Sequence, residues 1–262
     1  MQRYSTPPGE GWHPDRETVV LRGMPPVLWG DVTLVNDSDE KVKVRQLDVT
    51  AGKGMKGRLA PGGLRIGARL APRDTARARA SMRVDPHTPP GRYAMDAEGF
   101  AAGGVVLEVL ERVSTLLTPA RLDLRGAPGE VLTADVAVTN RGNVPLEVPR
   151  AALVHLEERY WMGRSLTYVL RDVARDTGAA AYLDRLLAEL KDSDIRPMRV
   201  EVAAKEGELA PGDSLAARLT LHLPEELRKG REYVRSITFM HARLFVAVAC
   251  DGSASSTKRR AR

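Results

Sequence analysis

The sequence predicts a mostly β protein, two related β-sandwich domains in tandem with an α-helical hairpin inserted in the second. Three observations lead there. Blocks of residues recur in order along the chain, the blocks alternate apolar and polar residues with a period of two, and one segment alone lengthens that period to a helix's.

The recurrence is a comparison of the chain with itself. Leu21-Arg-Gly23 returns as Leu124-Arg-Gly126 and Asp31-Val-Thr-Leu-Val-Asn36 as Asp135-Val-Ala-Val-Thr-Asn140, at a spacing of 103 to 104 residues. Leu70-Ala-Pro-Arg-Asp74 returns as Leu209-Ala-Pro-Gly-Asp213 and Gly91-Arg-Tyr93 as Gly230-Arg-Glu-Tyr233, at 139 to 140. The order is kept while the spacing jumps by about 35 residues, so the second copy holds an insertion, placed at about 149–205. The chain accordingly divides into a flexible N-terminal segment 1–16, a first sandwich 17–113, a second sandwich 114–251 carrying the insertion, and a disordered basic tail 252–262.

Within each copy the elements follow from periodicity and turn chemistry. Ala76, Ala78, Ala80, Met82 and Val84 alternate with Arg77, Arg79, Ser81 and Arg83, which is a strand with one buried and one wet face. Leu215, Ala217, Leu219, Leu221 and Leu223 form its counterpart. The earlier strands end at Asn36 and Asn140, each followed by turn formers, Asp-Ser-Asp39 and Arg-Gly-Asn143. The proline of Leu-Ala-Pro-x-Asp presets a turn, and Gly91 and Gly230 supply backbone geometry denied to other residues. Tyr93 and Tyr233 follow those glycines, placed to anchor a corner by a hydroxyl-to-backbone hydrogen bond.

Asp135-Val-Ala-Val-Thr-Asn-Arg-Gly-Asn-Val-Pro-Leu-Glu-Val148, Leu-Ala-Pro-Gly-Asp213 and Gly-Arg-Glu-Tyr233 together resemble bacterial immunoglobulin-like domains of the NEW3 and pilus-chaperone-like kind. The first copy shares the resemblance through Val35-Asn-Asp-Ser-Asp-Glu-Lys-Val-Lys-Val44 and Thr88-Pro-Pro-Gly-Arg-Tyr93. It implies two tandem Ig-like sandwiches and an adhesion, assembly or spacer role, and a fold alone specifies no activity.

In the insertion, Leu166, Val169, Leu170 and Val173 fall at i, i+3, i+4 and i+7, and after Gly178 the same spacing returns in Leu183, Leu186, Leu187 and Leu190. Two short amphipathic helices joined by a turn are expected. Insertions on a rigid β scaffold are where binding is commonly added. Tyr160, Trp161 and Met162, of types enriched at interface hot spots, stand just before the helices. The expected partner-binding residues are therefore Tyr160, Trp161, Met162, Leu166, Val169, Leu170 and Val173. The competing reading buries both leucine stripes on the domain's own sheet.

Composition narrows the chemistry. The 262 residues are 43% hydrophobic and only 5% aromatic, with net charge +6 and a pI near 9.6. Cys250 is the one cysteine, which excludes an internal disulfide and a four-cysteine zinc site, and its apolar run marks it as a small buried hydrophobe. His13, His87, His155, His222 and His241 fall in no metal-binding spacing. Gly52-Lys-Gly-Met-Lys-Gly57 lacks the strand-to-helix setting of a phosphate loop, and there is no Gly-x-Ser-x-Gly elbow. No cofactor, metal or catalytic residue is expected.

The basic residues raise a second possibility, anion binding by Arg77, Arg79 and Arg83 of the arginine strand, preceded by Arg65, Arg69 and Arg73, and by Lys258, Arg259 and Arg260 of the tail. The aromatic interleaving that stacks bases is missing from both segments. The expected function is thus a non-enzymatic interaction or assembly module that docks another protein through the hairpin. Binding of nucleic acid or another polyanion is the first alternative and an accessory subunit of an enzyme complex the second. With no apolar leader or membrane-length run in the sequence, a cytoplasmic location is expected, or a periplasmic or cell-surface one for a processed chain.

Overall fold

The computed structural model describes residues 11–251, apart from 17, 52–54, 56–57, 59–62, 98, 173–177, 192–194 and 205–206. The tail cations Lys258, Arg259 and Arg260, Val173 and most of the expected flexible N-terminal segment lie outside the described residues. The chain is mostly β with two large sheets and two helices, and it divides into two compact units. The first holds residues up to 114 and takes in 140–145 and 210–213; the second is built from 115–139, 146–209 and the residues after 213.

The first unit contains β1 (Trp12–Pro14), β2 (Val19–Gly23), β3 (Val27–Asn36), β4 (Val42–Leu47), β5 (Val49–Thr50), β6 (Leu64–Leu70), β7 (Thr75–Arg83), β8 (Gly91–Ala97) and β9 (Val105–Val109). They follow the order β4-β6-β7-β3-β2-β9-β8-β5, with β1 added on β3. The second contains β10 (Thr115–Thr118), β11 (Arg121–Gly126), β12 (Val131–Asn140), β13 (Leu146–Glu147), β14 (Ala151–Glu158), α1 (Trp161–Asp172), α2 (Ala179–Lys191), β15 (Ile195–Ala204), β16 (Glu208–Leu209), β17 (Ser214–His222), β18 (Glu232–Phe239) and β19 (Ala242–Cys250). Its sheet runs β10-β12-β17-β15-β14-β18-β19-β11, beside a two-stranded ribbon of β13 and β16. In both units an early strand pairs parallel with the last, Leu21 opposite Leu107 and Leu124 opposite Val248. Each large sheet is one continuous, barrel-like path of hydrogen-bonded strands. Alternation of inward and outward side chains is common to a rolled sheet and a sandwich, so periodicity alone does not separate them.

The two copies keep the same register across the ladder of their long paired strands, while the first sheet continues through β3–β2 and the second through β14–β18. Asp31 faces Arg79 across β3 and β7, and Asp135 faces Arg218 across β12 and β17. The recurring motifs are the reason. Asn36, buried, donates to the carbonyls of Glu40 (2.8 Å) and Ala71 (2.7 Å) and accepts the Ser38 N–H. Asn140, also buried, donates to Val144 (2.8 Å) and accepts the Gly142 N–H. Their own N–H groups donate to Asp74 and Asp213, tying each Asn turn to its Leu-Ala-Pro-x-Asp turn. The Tyr93 hydroxyl donates to the Pro89 carbonyl (3.0 Å), and that of Tyr233 accepts the Arg228 N–H (2.9 Å). Gly91 at φ +152° and Gly230 at φ +74° adopt backbone angles that L side chains rarely reach.

Each unit encloses its own core, one around Leu21, Leu28, Leu34, Ile66 and Leu107, the other around Leu156, Met198, Tyr233, Leu244 and Val248. The insertion is narrower than the spacing jump implies. Strand β4 pairs with β6 and β6 with β7; likewise β14 pairs with β15 and β15 with β17. Strands β14 and β15 therefore belong to the repeated scaffold. What differs is the connection, 48–63 in the first copy and 159–194, with both helices, in the second. Across 149–205 the copies share a strand pattern without shared residues, which self-comparison reads as insertion.

Candidate functional site

The hairpin begins where the sheet lets go of the chain. Glu158, the last residue of β14, is buried, and its carboxylate is held by the guanidinium of Arg164, with the Arg231 guanidinium 3.7 Å away. A buried carboxylate is tolerated only with such partners. Trp161 opens α1 half-buried, donating its indole N–H to Glu157 (2.7 Å), and Trp161 and Met162 are thus helical rather than preceding the helix. The buried face continues with Ser165 and Val169.

That face is not the expected one. At about 100° per residue the buried arc centres on Trp161, Ser165 and Val169, roughly a quarter turn from the predicted stripe. Met162 (56% exposed), Leu166 (36%) and Leu170 (68%) form the outer stripe at i, i+4 and i+8, and Tyr160 beside it is 66% exposed. The cause is the anchoring of the first turn by Arg164–Glu158 and Trp161–Glu157, which sets the rotation of the helix before any leucine is reached. Val169, expected at the docking surface, is core. On α2, which packs against α1, Leu183 and Leu187 are exposed and Leu186 is half-buried.

Beside α1 runs a groove of about 690 Å³ lined by Tyr160, Gly163, Thr167, Tyr168, Arg231 and Glu232, among others. Arg159 pairs with Glu232 (2.8 Å) and lies over the Tyr160 ring, 5.3 Å from its centre. These tyrosines extend the exposed apolar surface of the hairpin to its base.

In the first unit, Arg77, Arg79 and Arg83 project from the outer face of β7, and Arg65 and Arg69 from β6. Arg77 pairs with Asp31 (2.7 Å). The arginine strand itself carries no aromatic, but β3 brings Trp29 to the same face, 45% exposed and with the Arg79 guanidinium 4.5 Å from its ring centre. Trp29 is remote from the arginine strand in sequence, and its one signal there is an out-of-phase aromatic between Leu28 and Gly30. Arg73, grouped with these arginines by sequence, instead turns toward Asp39 (3.0 Å).

Among the described residues, no three or more His, Cys, Asp or Glu side chains converge as a metal site, and no helix is long and apolar enough to cross a membrane. Cys250 is buried, and its thiol is pushed up from the ordinary value by burial and then by Asp251, with Lys229 opposing. No family model matches the chain, and no curated protein matches it. A solved structure of a protein of unknown function from Porphyromonas gingivalis W83 aligns over 91% of this chain and 99% of its own, at 14% identity and a TM-score of 0.28.

Proposed function

We propose that this protein is a non-enzymatic interaction module, a tandem of immunoglobulin-type domains that docks a protein partner through the outer stripe of its helical hairpin. The observation that carries the reading is the stripe itself. Met162, Leu166 and Leu170 on α1, with Leu183 and Leu187 on α2, leave large apolar side chains in water at helical spacing, while the scaffold beneath is anchored by a buried ion pair. Exposed apolar surface of this regularity suits an amphipathic helix of a partner, whose own apolar face completes the packing. The parallel pairing of early and last strands in both units supports the immunoglobulin-type reading, with the hairpin as the addition that distinguishes one copy.

The test compares affinity capture by the native chain with capture by the double variant Leu170→Glu, Leu187→Glu and by Leu153→Glu, an exposed control on β14. Proteins that dock on the stripe are retained by the native chain and the control and lost from the double variant. Retention of the same proteins by all three overturns the proposal, as does loss of fold in the double variant, measured by circular dichroism, since that would make the stripe core.

A further inference from the structure

Across the β3–β7 and β12–β17 ladders the two copies serve as controls for each other, because these ladders pair the same positions. Across β3 and β7, Val27 faces Arg83, Trp29 faces Ser81, Asp31 faces Arg79 and Thr33 faces Arg77. Across β12 and β17 the same positions read Val131 and His222, Thr133 and Thr220, Asp135 and Arg218, Ala137 and Ala216. One strand further out, Arg65 faces Ser81 in the first unit, where Glu201 faces Thr220 in the second. The second copy thus keeps the fold with Thr in place of Trp29, Ala in place of Arg77, His in place of Arg83 and Glu in place of Arg65. On the same face Arg218 is taken up by Asp135 and Arg199, opposite His222, by Glu201 (2.8 Å). The scaffold needs none of the four residues that make the first face cationic and aromatic.

What the first unit builds with them is a continuous surface. Lys43 and Arg45 on β4, Arg65 and Arg69 on β6, and Arg77, Arg79 and Arg83 on β7 point outward, and Asp31 is the one carboxylate in the sequences of β3, β4, β6 and β7. Lys43 lies opposite Arg69, and its ammonium is held below the usual lysine range by desolvation and by repulsion from Arg45 and Arg69. Register places Gln46, Arg65, Ser81, Trp29 and Arg22 in one row across five strands, so Trp29 sits in the interior of the face. The Arg79 guanidinium lies over its indole, and Trp29 remains 45% exposed. A groove of about 380 Å³, lined by Arg16, Thr18, Val20, Asp31, Thr33 and Arg77 among others, adjoins the same residues.

We propose that this outer face of β4, β6, β7 and β3 binds single-stranded nucleic acid, with Trp29 stacking a base and the arginines holding backbone phosphates. Outward residues recur about every 6.8 Å along a strand and about every 4.8 Å across strands, a grid of cations that tracks a flexible polyanion. An open indole flanked by guanidinium is a stacking platform for an unpaired base, whereas duplex bases hide their faces in the stack. Membrane insertion needs a cluster of projecting apolar side chains, and here the aromatic is set among cations. The site lies on different elements from the hairpin stripe and is independent of it.

The experiment measures anisotropy of fluorescein-labelled oligo(dT) with the full chain, beside duplex DNA, heparin and phosphatidylserine vesicles. The variants are Trp29→Thr, Arg65→Glu and Arg83→His, each a residue the second copy already carries at that position. Oligo(dT) is expected to bind in preference to duplex. Trp29→Thr should weaken it roughly 5- to 150-fold, the loss of one stacked base. Arg83→His, assayed at mildly alkaline pH where an imidazole is neutral, should lower the slope of log affinity against log salt by about 0.7, one phosphate contact on a single strand. Equal binding of duplex and heparin with Trp29→Thr harmless would reduce the face to general polyanion attraction and overturn the proposal. Binding to vesicles and not to oligo(dT) overturns it as well, as does binding that vanishes when the chain is cut after Asp251 but survives Arg65→Glu.

Discussion

At the scale of a residue, burial decides chemistry more than identity does. Cys250 closes β19 opposite Gly126 on the parallel partner strand, 1% exposed, and Asp251 beside it opposes the thiolate. The thiolate is the reactive form. Because burial and Asp251 raise its pKa above the unfolded value, the native thiol stays protonated at neutral pH. A thiol-reactive disulfide reagent should therefore modify native protein far more slowly than denatured protein. The sign for stability follows from linkage: as pH rises past the ordinary thiol value, the unfolded chain releases its proton first, so stability falls with rising pH in that window. Comparing denaturation of native protein and Cys250→Ala across the alkaline range checks it; an equal decline in both removes Cys250 as the cause. Trp29 shows the converse, a large aromatic that its strand phase holds in solvent.

At the scale of an element, α1 shows two apolar residues in adjacent positions doing different jobs. Val169 is fully buried and Leu170 is 68% exposed. Deleting two buried methyl groups in Val169→Ala should cost about 1.5 kcal/mol, while Leu170→Ala should stay within about 0.5 kcal/mol of the native chain, as surface changes do. Urea denaturation of the two variants measures the difference directly. Equal costs would mean that the helix is rotated toward the periodicity expected from sequence, with Leu166, Val169 and Leu170 sharing one buried stripe. Spacing reports that a helix has an apolar face. It does not report which side of that face the ion pair Arg164–Glu158 and the Trp161–Glu157 hydrogen bond turn inward, because those partners lie on the preceding strand and enter no periodicity.

At the scale of the whole molecule, what was legible in the sequence was whatever the fold needs twice. Asn36 and Asn140 tie to the two Leu-Ala-Pro-x-Asp turns by the same backbone bond in each copy, Tyr93 and Tyr233 each bond a nearby backbone group, one as donor and one as acceptor, and their recurrence disclosed the repeat. Strands β14 and β15 were hidden, since pairing by backbone leaves outward residues free to diverge, and Arg65 and Glu201 occupy one register position with opposite charge. The cationic face was half legible, its arginines alternating along one strand while Trp29 joined them only through pairing of β3 with β7. Duplication also leaves each copy with a complete core, and the two clusters share no residue. Leu21 and Leu156, both fully buried, lie in different clusters. Truncating either to Ala should cost about 2–5 kcal/mol through lost burial and the cavity left behind. With no shared partners the costs should add in the double variant to within about 0.5 kcal/mol. Guanidinium denaturation of the four proteins measures the cycle, and a coupling above about 1 kcal/mol would show that the two cores stabilise each other rather than standing as separate structures.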